Sequence, residues 1–406
     1  MTSRAVNPSA SATTPFSAAD AAIGYAFQTR VALLLSLRRL SDDQTFSVRL
    51  ETLDDVVFEA NGKAPDLLQV KHHKKGAASL SDASPDLWKT LRVWIEGRTS
   101  GVISHDAQLF LVTTAAVGTD SAASRLQTKG RDEAVALQRL ASVATTSGSS
   151  TNKPAYDLFR NLPDADQMAL ISAVTVLPGT PDITDVDVEL RREVWSAARP
   201  QHRQSFLSRL EGWWYDRAVK HLRDPKKVPI FSLELEFKMS DLWDQFHQDS
   251  LPVDEELFGG EVNASTYSDH PFVQQLEISG IRKSRILRAV RDYYRAFEQR
   301  SRWVREDLVE GGELGRYERR LVEEWEIFFD QVADEIGEEA AEEACRQAAQ
   351  RVCTWVEDAD FPIRPRVAER GLTRGSFHML ADELKVGWHP RFQERLKHLL
   401  EPEAAE

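Results

Sequence analysis

The chain has 406 residues, of which 42% are hydrophobic and 28% are charged, and its formal net charge at pH 7 is −13. This length favours two domains, because single hydrophobic cores seldom grow beyond about 250–300 residues. The negative charge argues against a protein that coats nucleic acid by bulk attraction, since that mode relies on excess Lys and Arg. No apolar run reaches the ~18 residues of a membrane span, so we expect a cytoplasmic protein without a membrane partner.

The first ordered element is predicted to be a helix that begins at Ser17. Residues 1–16 are rich in Ser, Ala and Thr, which is typical of a disordered tail. Asp20 follows Ser17 by three residues, close to a capping box. The apolar stripe of this helix has helical spacing and consists of Ile23, Phe27, Val31 and Leu34. Gln28 lies off that stripe, where a side chain is usually solvated.

Three strands are predicted between residues 47 and 73. Residues 47–53 alternate as a first strand, 56–60 as a second and 66–73 as a third. The Asn-Gly pair at 61–62 is typical of the turn between the second and third. These strands would form one side of a sheet.

Polar side chains lie where these strands end. Glu51 is near the end of the first strand, Asp54 and Asp55 open the second, and Gln69 and Lys71 lie two apart on the third. Because side chains alternate across a sheet, Gln69 and Lys71 share one face, and only one of Asp54 and Asp55 should face Lys71. An acid, a carboxamide oxygen and an ammonium can therefore meet at one point.

This combination suits metal-dependent phosphodiester hydrolysis. Oxygen ligands hold Mg²⁺ (or Mn²⁺), the metal activates a water molecule, and a cation stabilises the added negative charge. A basic run follows the third strand, in which His73, Lys74 and Lys75 could hold flanking phosphates of DNA. A solvated strand edge with a surface lysine remains the alternative for the whole set.

The ordered set resembles the PD-(D/E)xK nuclease superfamily, in the variant in which Gln replaces Glu on the third strand. More narrowly, four segments are similar to the Cap4-type double-stranded DNA endonuclease domain of bacterial anti-phage effectors: GYAFQ (24–28), LETLDD (50–55), LQVKHH (68–73) and DLWKTLRVW (86–94). The resemblance covers roughly the first half of the chain. It implies an α/β restriction-endonuclease-like fold over residues 17–245.

The resemblance also assigns roles to residues. It makes Asp55 the metal-binding acid, Gln69 the second metal ligand, and Lys71 the residue that orients or activates the attacking water. With Gln in place of Glu, the site has one negative ligand fewer, so metal affinity would be modest. The remaining members of the site would be Glu51 as a further catalytic residue, with Gln28 and Asp54 in support.

The middle of the chain continues this α/β order. A helix is predicted to start at Pro85, and its aromatic stripe with Trp88 and Trp94 has the period of a core face. Residues 107–115 predict a buried strand that completes the sheet. Residues 186–222 are predicted to be largely helical.

The second half is predicted to be helical. Two apolar stripes have helical spacing, the first with Ile286, Val290, Tyr294 and Phe297, and the second with Tyr317, Leu321, Trp325, Phe328, Val332 and Ile336. Periodicity alone leaves open whether they form a bundle core or a partner-binding surface. Cys345 and Cys353 are eight residues apart on a helix, ~12 Å, which is too far for a disulfide, so we expect two buried thiols.

The helix over residues 282–305 is rich in Arg and aromatic residues. DNA binding and an ion-paired helix face are both compatible with this pattern, and the interleaved Glu and Asp favour the ion-paired face.

A second resemblance covers roughly residues 250–400. RSRWVREDLV (300–309), LGRYERRLVEEWEIFF (314–329) and GSFHMLADELKVGWHPRF (375–392) resemble the C-terminal module of three-component ABC-ATPase conflict systems, the class that includes Lamassu. The resemblance implies that residues 250–406 form a helical partner-binding domain. Its partners would be an SMC- or Rad50-like ABC ATPase and a third small subunit.

Together these resemblances predict a DNA endonuclease effector of a Lamassu-like bacterial anti-phage complex. Its ATPase partner would hold it inactive until activation, and it would then cut double-stranded DNA as a homo-oligomer, because one such site cuts one strand. The alternative is an adaptor whose nuclease fold has lost activity. A solitary restriction enzyme is a third interpretation, and it would need no partner.

Overall fold

The computed structural model describes residues 18–42, 45–71, 79–179, 183–259 and 262–396. The chain divides into two compact units. Unit 1 comprises residues 1–196 and 207–240, and unit 2 comprises residues 197–206 and 241–406. The predicted basic residues His73, Lys74 and Lys75 lie outside the described residues, as does the predicted tail.

Unit 1 is an α/β unit. Its helices are α1 (Ala18–Asp42), α2 (Pro85–Thr99), α3 (Ala122–Arg125), α4 (Glu133–Thr146), α5 (Lys153–Asn161), α6 (Asp164–Ala173) and α7 (Ile183–Glu193), followed by α8 (Arg203–Arg223), whose first four residues are assigned to unit 2, and α9 (Ser232–Gln245), whose last five residues are assigned to unit 2. Its strands are β1 (Phe46–Leu50), β2 (Val56–Ala60), β3 (Asp66–Lys71), β4 (Ser79–Leu80), β5 (Gln108–Thr113), β6 (Ala116–Val117), β7 (Val174–Leu177) and β8 (Ile230–Phe231).

The main sheet has six strands in the order β7-β5-β3-β2-β1-β8. The neighbours β1, β2 and β3 are antiparallel, whereas β3, β5 and β7 are parallel. A mixed sheet of this kind needs helices on the faces of its parallel half, because parallel strands are joined by crossover connections. Strand β5 is the predicted strand over residues 107–115, and it places β3 at the centre of the sheet.

Helices cover both faces of the sheet. On one face Leu67 shares a core with Trp88 and Trp94 of α2, which are both fully buried, as the aromatic spacing predicted. On the other face the Arg39 guanidinium of α1 lies 4.7 Å from the ring centre of Phe58 and pairs with Asp66. Alternation along β3 therefore assigns Gln69 and Lys71, which share the face of Leu67, to the α2 side.

The first strand is shorter than predicted. It ends at Leu50, and residues 51–55 form a bend in which Glu51 has a positive φ of 49°. The Glu51 N–H donates to the Asp55 carbonyl at 3.1 Å and closes this bend. Glu51 thus lies just after the strand instead of within it, which apolar alternation through Leu53 did not indicate.

Unit 2 is helical in its described part. Its helices are α10 (Glu256–Gly259), α11 (Pro271–Ile278), α12 (Lys283–Arg305), α13 (Glu313–Ile336), α14 (Glu342–Asp358), α15 (Arg370–Asp382) and α16 (Phe392–Leu396), with short 3₁₀ turns at Pro200–His202 and Ala264–Tyr267. Helices α12 and α15 approach so closely that a Cβ on Gly375 would lie 2.0 Å from the Asp292 carbonyl oxygen. Cys345 and Cys353 are buried free thiols, as expected.

The stripe of α13 belongs to the core of unit 2, since Tyr317, Leu321, Trp325 and Val332 are buried. The stripe predicted for α12 was partly wrong, because Val290 is buried whereas Phe297 is 45% exposed. Across the described part of the chain, no helix combines the length and the apolar character needed to cross a bilayer.

Candidate active site at the ends of strands β2 and β3

Asp55 is tied to strand β3 through its side chain. The last antiparallel pair of β2 and β3 joins Val56 to Leu68, so the same register one residue further sets Asp55 opposite Gln69. At this point the Val70 N–H donates to Asp55 Oδ2 at 2.7 Å. A carboxylate thus replaces the next backbone acceptor of the ladder and is held beside Gln69.

Strand β5 fixes Gln69 and Lys71 from the other side. In the parallel register Gln69 pairs with Leu111 and Lys71 with Thr113, and the Thr114 N–H donates to the Lys71 carbonyl at 3.3 Å. The Gln69 side chain is 7% exposed and makes no hydrogen bond to the described residues. Among the described residues, no donor therefore occupies its carboxamide oxygen.

Asp54 is the most buried acid of the group, with 8% of its surface exposed. Its Oδ2 accepts a hydrogen bond from Trp94 Nε1 at 2.6 Å, and its Oδ1 accepts one from the Asp55 N–H at 3.1 Å. Burial raises the pKa of Asp54 to about 6, and the charge of Asp55 adds to the rise, although the Trp94 bond and the Lys71 ammonium oppose it. Asp54 is therefore only partly ionised just below neutral pH.

Glu51 lies on the outer side of this group. Partial desolvation raises the pKa of the Glu51 carboxyl, the Asp55 charge raises it further, and the Lys71 ammonium lowers it. Glu51, Asp55 and Lys71 are therefore near enough for their charges to interact. Asp54 responds to the same two charges, so the structure brings the three predicted acids and Lys71 to one end of the β2–β3 pair.

Gln28 has a less direct relation to the site. It is half-buried on α1, and its side chain forms no hydrogen bond with the part of the chain that is described. Tyr25, one turn earlier, is nearer, because its pKa is raised mainly by burial and also by the charge of Glu51. Sequence analysis missed Tyr25 as a neighbour of the site, although it lies within the GYAFQ segment.

Trp94 was also missed as a polar partner. Its position on the apolar stripe of α2 predicted burial, and it is fully buried, but its indole N–H also holds Asp54. Buried indoles usually find a hydrogen-bond partner, so the need for an acceptor was foreseeable. Which residue accepts this bond depends on how α2 packs on the sheet, and the sequence alone does not show that packing.

The acceptors of this group fit a weakly held divalent cation. The Asp55 charge raises the pKa of both Glu51 and Asp54, and the Lys71 ammonium opposes both shifts, so an added cation would relieve repulsion. Asp55 Oδ1 and the Gln69 carboxamide oxygen make no hydrogen bond to the described residues. No group of three or more His, Cys, Asp or Glu in that part of the chain is placed to hold a metal. Mg²⁺ suits such a sparse site, because it often uses one or two carboxylates and completes its shell with water and substrate phosphates.

The family match concerns unit 2. Residues 272–396 match the family model of C-terminal domain 7 of the ABC-three component (ABC-3C) systems. Among solved structures, the chain is similar to Acinetobacter baumannii Cap4, a SAVED/CARF-domain containing receptor with the cyclic trinucleotide 2'3'3'-cAAA. That match has 11% identity and a TM-score of 0.33, and it covers 68% of this chain and 66% of the other. A TM-score at this level does not establish a shared fold.

Comparison with curated proteins gave no match. The family match falls within unit 2, which is helical where it is described. Residues 272–396 are therefore similar to a C-terminal domain of the ABC-three component class.

Proposed function

We propose that unit 1 is an Mg²⁺-dependent endonuclease that hydrolyses phosphodiester bonds of double-stranded DNA. The observation that carries this proposal is the meeting of three acids, a carboxamide and an ammonium at one end of β2 and β3, with Asp55 anchored to the Val70 N–H at 2.7 Å. This is the set of groups that phosphodiester hydrolysis needs. The PD-(D/E)xK fold of the Cap4-type domain is part of the same proposal.

Asp55 and Gln69 are the residues that would hold the metal. Asp55 Oδ2 is engaged by Val70, so Oδ1 is the oxygen offered to the ion. Both oxygens of Asp54 already accept hydrogen bonds, which favours Asp55 as the ligand and Asp54 as the residue that fixes the bend. Bound Mg²⁺ would supply Lewis-acid polarisation of the phosphate and a more acidic water.

Lys71 would act directly on the reacting groups. It lies on the same face of β3 as Gln69, so its ammonium can orient the attacking water and offset the charge that develops on the phosphate. Glu51, which is exposed beside Asp55, would face the solvent side of the site.

Unit 2 would attach this nuclease to its complex. The match of residues 272–396 to a C-terminal domain of ABC-3C systems supports an ABC ATPase as the partner. We extend this to a Lamassu-like anti-phage system, in which an SMC- or Rad50-like ATPase and a third small subunit hold the nuclease inactive. After activation the effector would cut as a homo-oligomer, since one site cuts one strand.

Asp55→Asn tests the site sharply, because Asn keeps an acceptor for the Val70 N–H and removes only the charge. We expect cleavage of supercoiled plasmid in Mg²⁺ or Mn²⁺ to fall at least about 100-fold, in the range found when one charge-stabilising group is lost. Calorimetric titration with Mn²⁺ should show weaker binding in the same variant. Asp330→Asn, at an exposed carboxylate of α13, is the matched control and should cut at the wild-type rate. Wild-type cleavage by Asp55→Asn would reject the proposed ligand.

The second candidate function is an adaptor that keeps the nuclease fold without activity. It is favoured by the lack of a group of three His, Cys, Asp or Glu ligands among the described residues. Phage protection by the complete system separates the two functions. An adaptor carrying Asp55→Asn should still protect cells, whereas a nuclease carrying it should not.

A further inference from the structure

A charged cavity of about 210 Å³ lies in unit 2, between α11, α12, α14 and α15. Its apolar wall includes Leu276 and Ile281, and its polar lining includes four arginines and one buried histidine. No part of the proposed nuclease chemistry uses it. The cavity falls within residues 272–396, so it belongs to the ABC-3C C-terminal domain.

Positive charge exceeds negative charge around this cavity. Its lining contains Arg285, Arg288, Arg291 and Arg374, against the carboxylates of Asp292 and Glu357. Cys353 also lines the cavity, but burial raises the pKa of its thiol to about 12, so it carries no charge at neutral pH. An anion entering the cavity would therefore meet two more cations than carboxylates.

The arginines differ in how far they are already paired. Arg285 forms a two-bonded pair with Glu357, both bonds being 2.9 Å, and Arg374 Nε donates to Asp292 Oδ2 at 2.6 Å. Arg288 reaches Glu357 only at 4.0 Å, and Arg291 forms no ion pair with the described residues. Arg288 and Arg291 are also the exposed members, so they lie at the mouth of the cavity with unused donors.

His378 supplies an independent sign that the cavity takes a ligand. Its side chain is 4% exposed, it lines the cavity, and its Nδ1 is buried without a hydrogen-bond partner. The rings of Phe272 and Trp388 pack against it at centroid distances of 5.6 and 5.5 Å. His378 makes no hydrogen bond to the described residues, so the imidazole ring that lines the cavity keeps polar capacity for a ligand.

His378 is an uncharged side chain that can still donate a hydrogen bond. Burial, together with the neighbouring Arg374 guanidinium, lowers its pKa to about 3, so the imidazole is neutral at pH 7. A neutral imidazole still donates one N–H. His378 follows Arg374 by one helical turn on α15, so both side chains point to the same side of the helix.

We propose that this cavity binds the phosphate group of a small ligand, with the arginines at its mouth and walls and His378 at its base. Planar guanidinium groups pair with phosphate oxygens through two parallel hydrogen bonds, which explains a preference for phosphate in an arginine cluster. The volume is below the roughly 300 Å³ at which sites for drug-sized ligands begin. It therefore fits inorganic phosphate, or the terminal phosphate of a nucleotide whose remainder stays outside.

The test is isothermal titration calorimetry of the full chain with inorganic phosphate and, separately, with adenosine monophosphate. Arg291→Ala removes from the cavity a cation that has no ion-pair partner among the described residues, whereas Arg305→Ala removes an exposed cation from the same helix away from the cavity. We expect Arg291→Ala to weaken binding at least about tenfold, as for loss of one charged hydrogen bond, and Arg305→Ala to leave it unchanged. His378→Phe keeps a ring of similar shape and should also weaken binding.

The two ligands distinguish the source of the phosphate. Tighter binding of the nucleotide, lost in Arg291→Ala, would assign the site to a nucleotide, and equal binding would assign it to free phosphate. Absence of binding by both ligands would overturn the proposal, as would binding that neither Arg291→Ala nor His378→Phe weakens. A hexaglutamate peptide that binds through Arg291 while phosphate does not would also overturn it, and would assign the cavity to an acidic segment of a partner protein.

Discussion

Asp54 and Asp55 are adjacent in the sequence but lie in different environments. Asp54 is enclosed by α2 and holds the Trp94 N–H, whereas Asp55 is half-buried and holds the end of β3. The sequence predicted that only one of them faces Lys71, yet the Lys71 charge acts on Asp54 as well as on Glu51. The bend over residues 51–55 accounts for this, because alternation holds only along a regular strand.

The raised pKa of Asp54 predicts a pH dependence of stability. An unfolded Asp titrates near 3.9, and Asp54 titrates in the fold at about 6, so its protonation favours the folded state. Below about pH 4 the protonated Asp54 contributes its full stabilisation to the free energy of unfolding. This stabilisation, on the order of 3 kcal/mol, is lost as the pH rises through about 6. Chemical denaturation of the wild type and of Asp54→Asn between pH 4 and 7.5 measures it.

The informative quantity is the difference in the free energy of unfolding between the two proteins at each pH, because groups that do not interact with Asp54 titrate alike in both. We expect the wild type to lose stability relative to Asp54→Asn as the pH rises. A difference that stays constant, or that changes in favour of the wild type, would contradict the buried environment assigned to Asp54.

At the scale of elements, α12 illustrates what apolar periodicity misses. The side of α12 that is buried includes Asp292, Gln299 and Arg300, which are polar. Each has a partner from another segment: Arg374 for Asp292, Asp254 for Gln299 and Glu318 for Arg300. The predicted ion-paired character of this helix is confirmed for Asp292 and Arg300, whereas Gln299 is hydrogen-bonded and the predicted apolar stripe was right only in part.

Gly375 sets how closely α15 approaches α12. A Cβ at this position would lie 2.0 Å from the Asp292 carbonyl oxygen and 2.5 Å from Ala296 Cβ, so Gly375→Ala must push the helices apart. We expect a loss of about 1–3 kcal/mol in the free energy of unfolding, as for overpacked cores. Denaturant titration followed by the far-ultraviolet helical signal measures it.

Gly315→Ala on α13 is the matched control. Its Cβ would meet only the Arg319 side chain at 3.7 Å, an ordinary contact, so the substitution should be neutral or stabilise by up to about 1 kcal/mol. Equal stability of the two variants would contradict a fixed spacing between α12 and α15.

Much of the fold could be predicted from the sequence. Strands β2, β3 and β5, the helix α2 with its buried tryptophans, and the stripe of α13 all follow from spacing that repeats over several residues. The bend after β1 depends on one residue with positive φ, and the Trp94–Asp54 bond joins positions 40 residues apart. Periodicity contains no information about either. The His378 cavity was missed for the same reason, because its residues come from four helices.

At the scale of the whole molecule, the acidic chain constrains how DNA would be reached. A net charge of −13 opposes DNA binding over most of the surface, so binding must depend on local cations near β3. Recruitment through the proposed ATPase complex would supply the missing affinity, and the similarity of residues 272–396 to an ABC-3C C-terminal domain supports this proposal. We therefore propose chemistry in unit 1 and attachment in unit 2.

The central claim is that unit 1 is an Mg²⁺-dependent endonuclease. Its most direct test is the rate at which supercoiled plasmid is linearised in Mg²⁺ by the wild type and by Lys71→Ala. The rate is measured for the full chain alone and for the full chain with the other components of its system. We predict that the wild type cuts the plasmid in at least one of these conditions. The cleavage rate of Lys71→Ala should be about 100- to 1,000-fold lower, as when one group that stabilises transition-state charge is removed. Lys129→Ala, at an exposed lysine after α3, should cut at the wild-type rate. Cutting by Lys71→Ala at the wild-type rate, or no cutting by a wild-type complex that still protects cells from phage, would contradict the account.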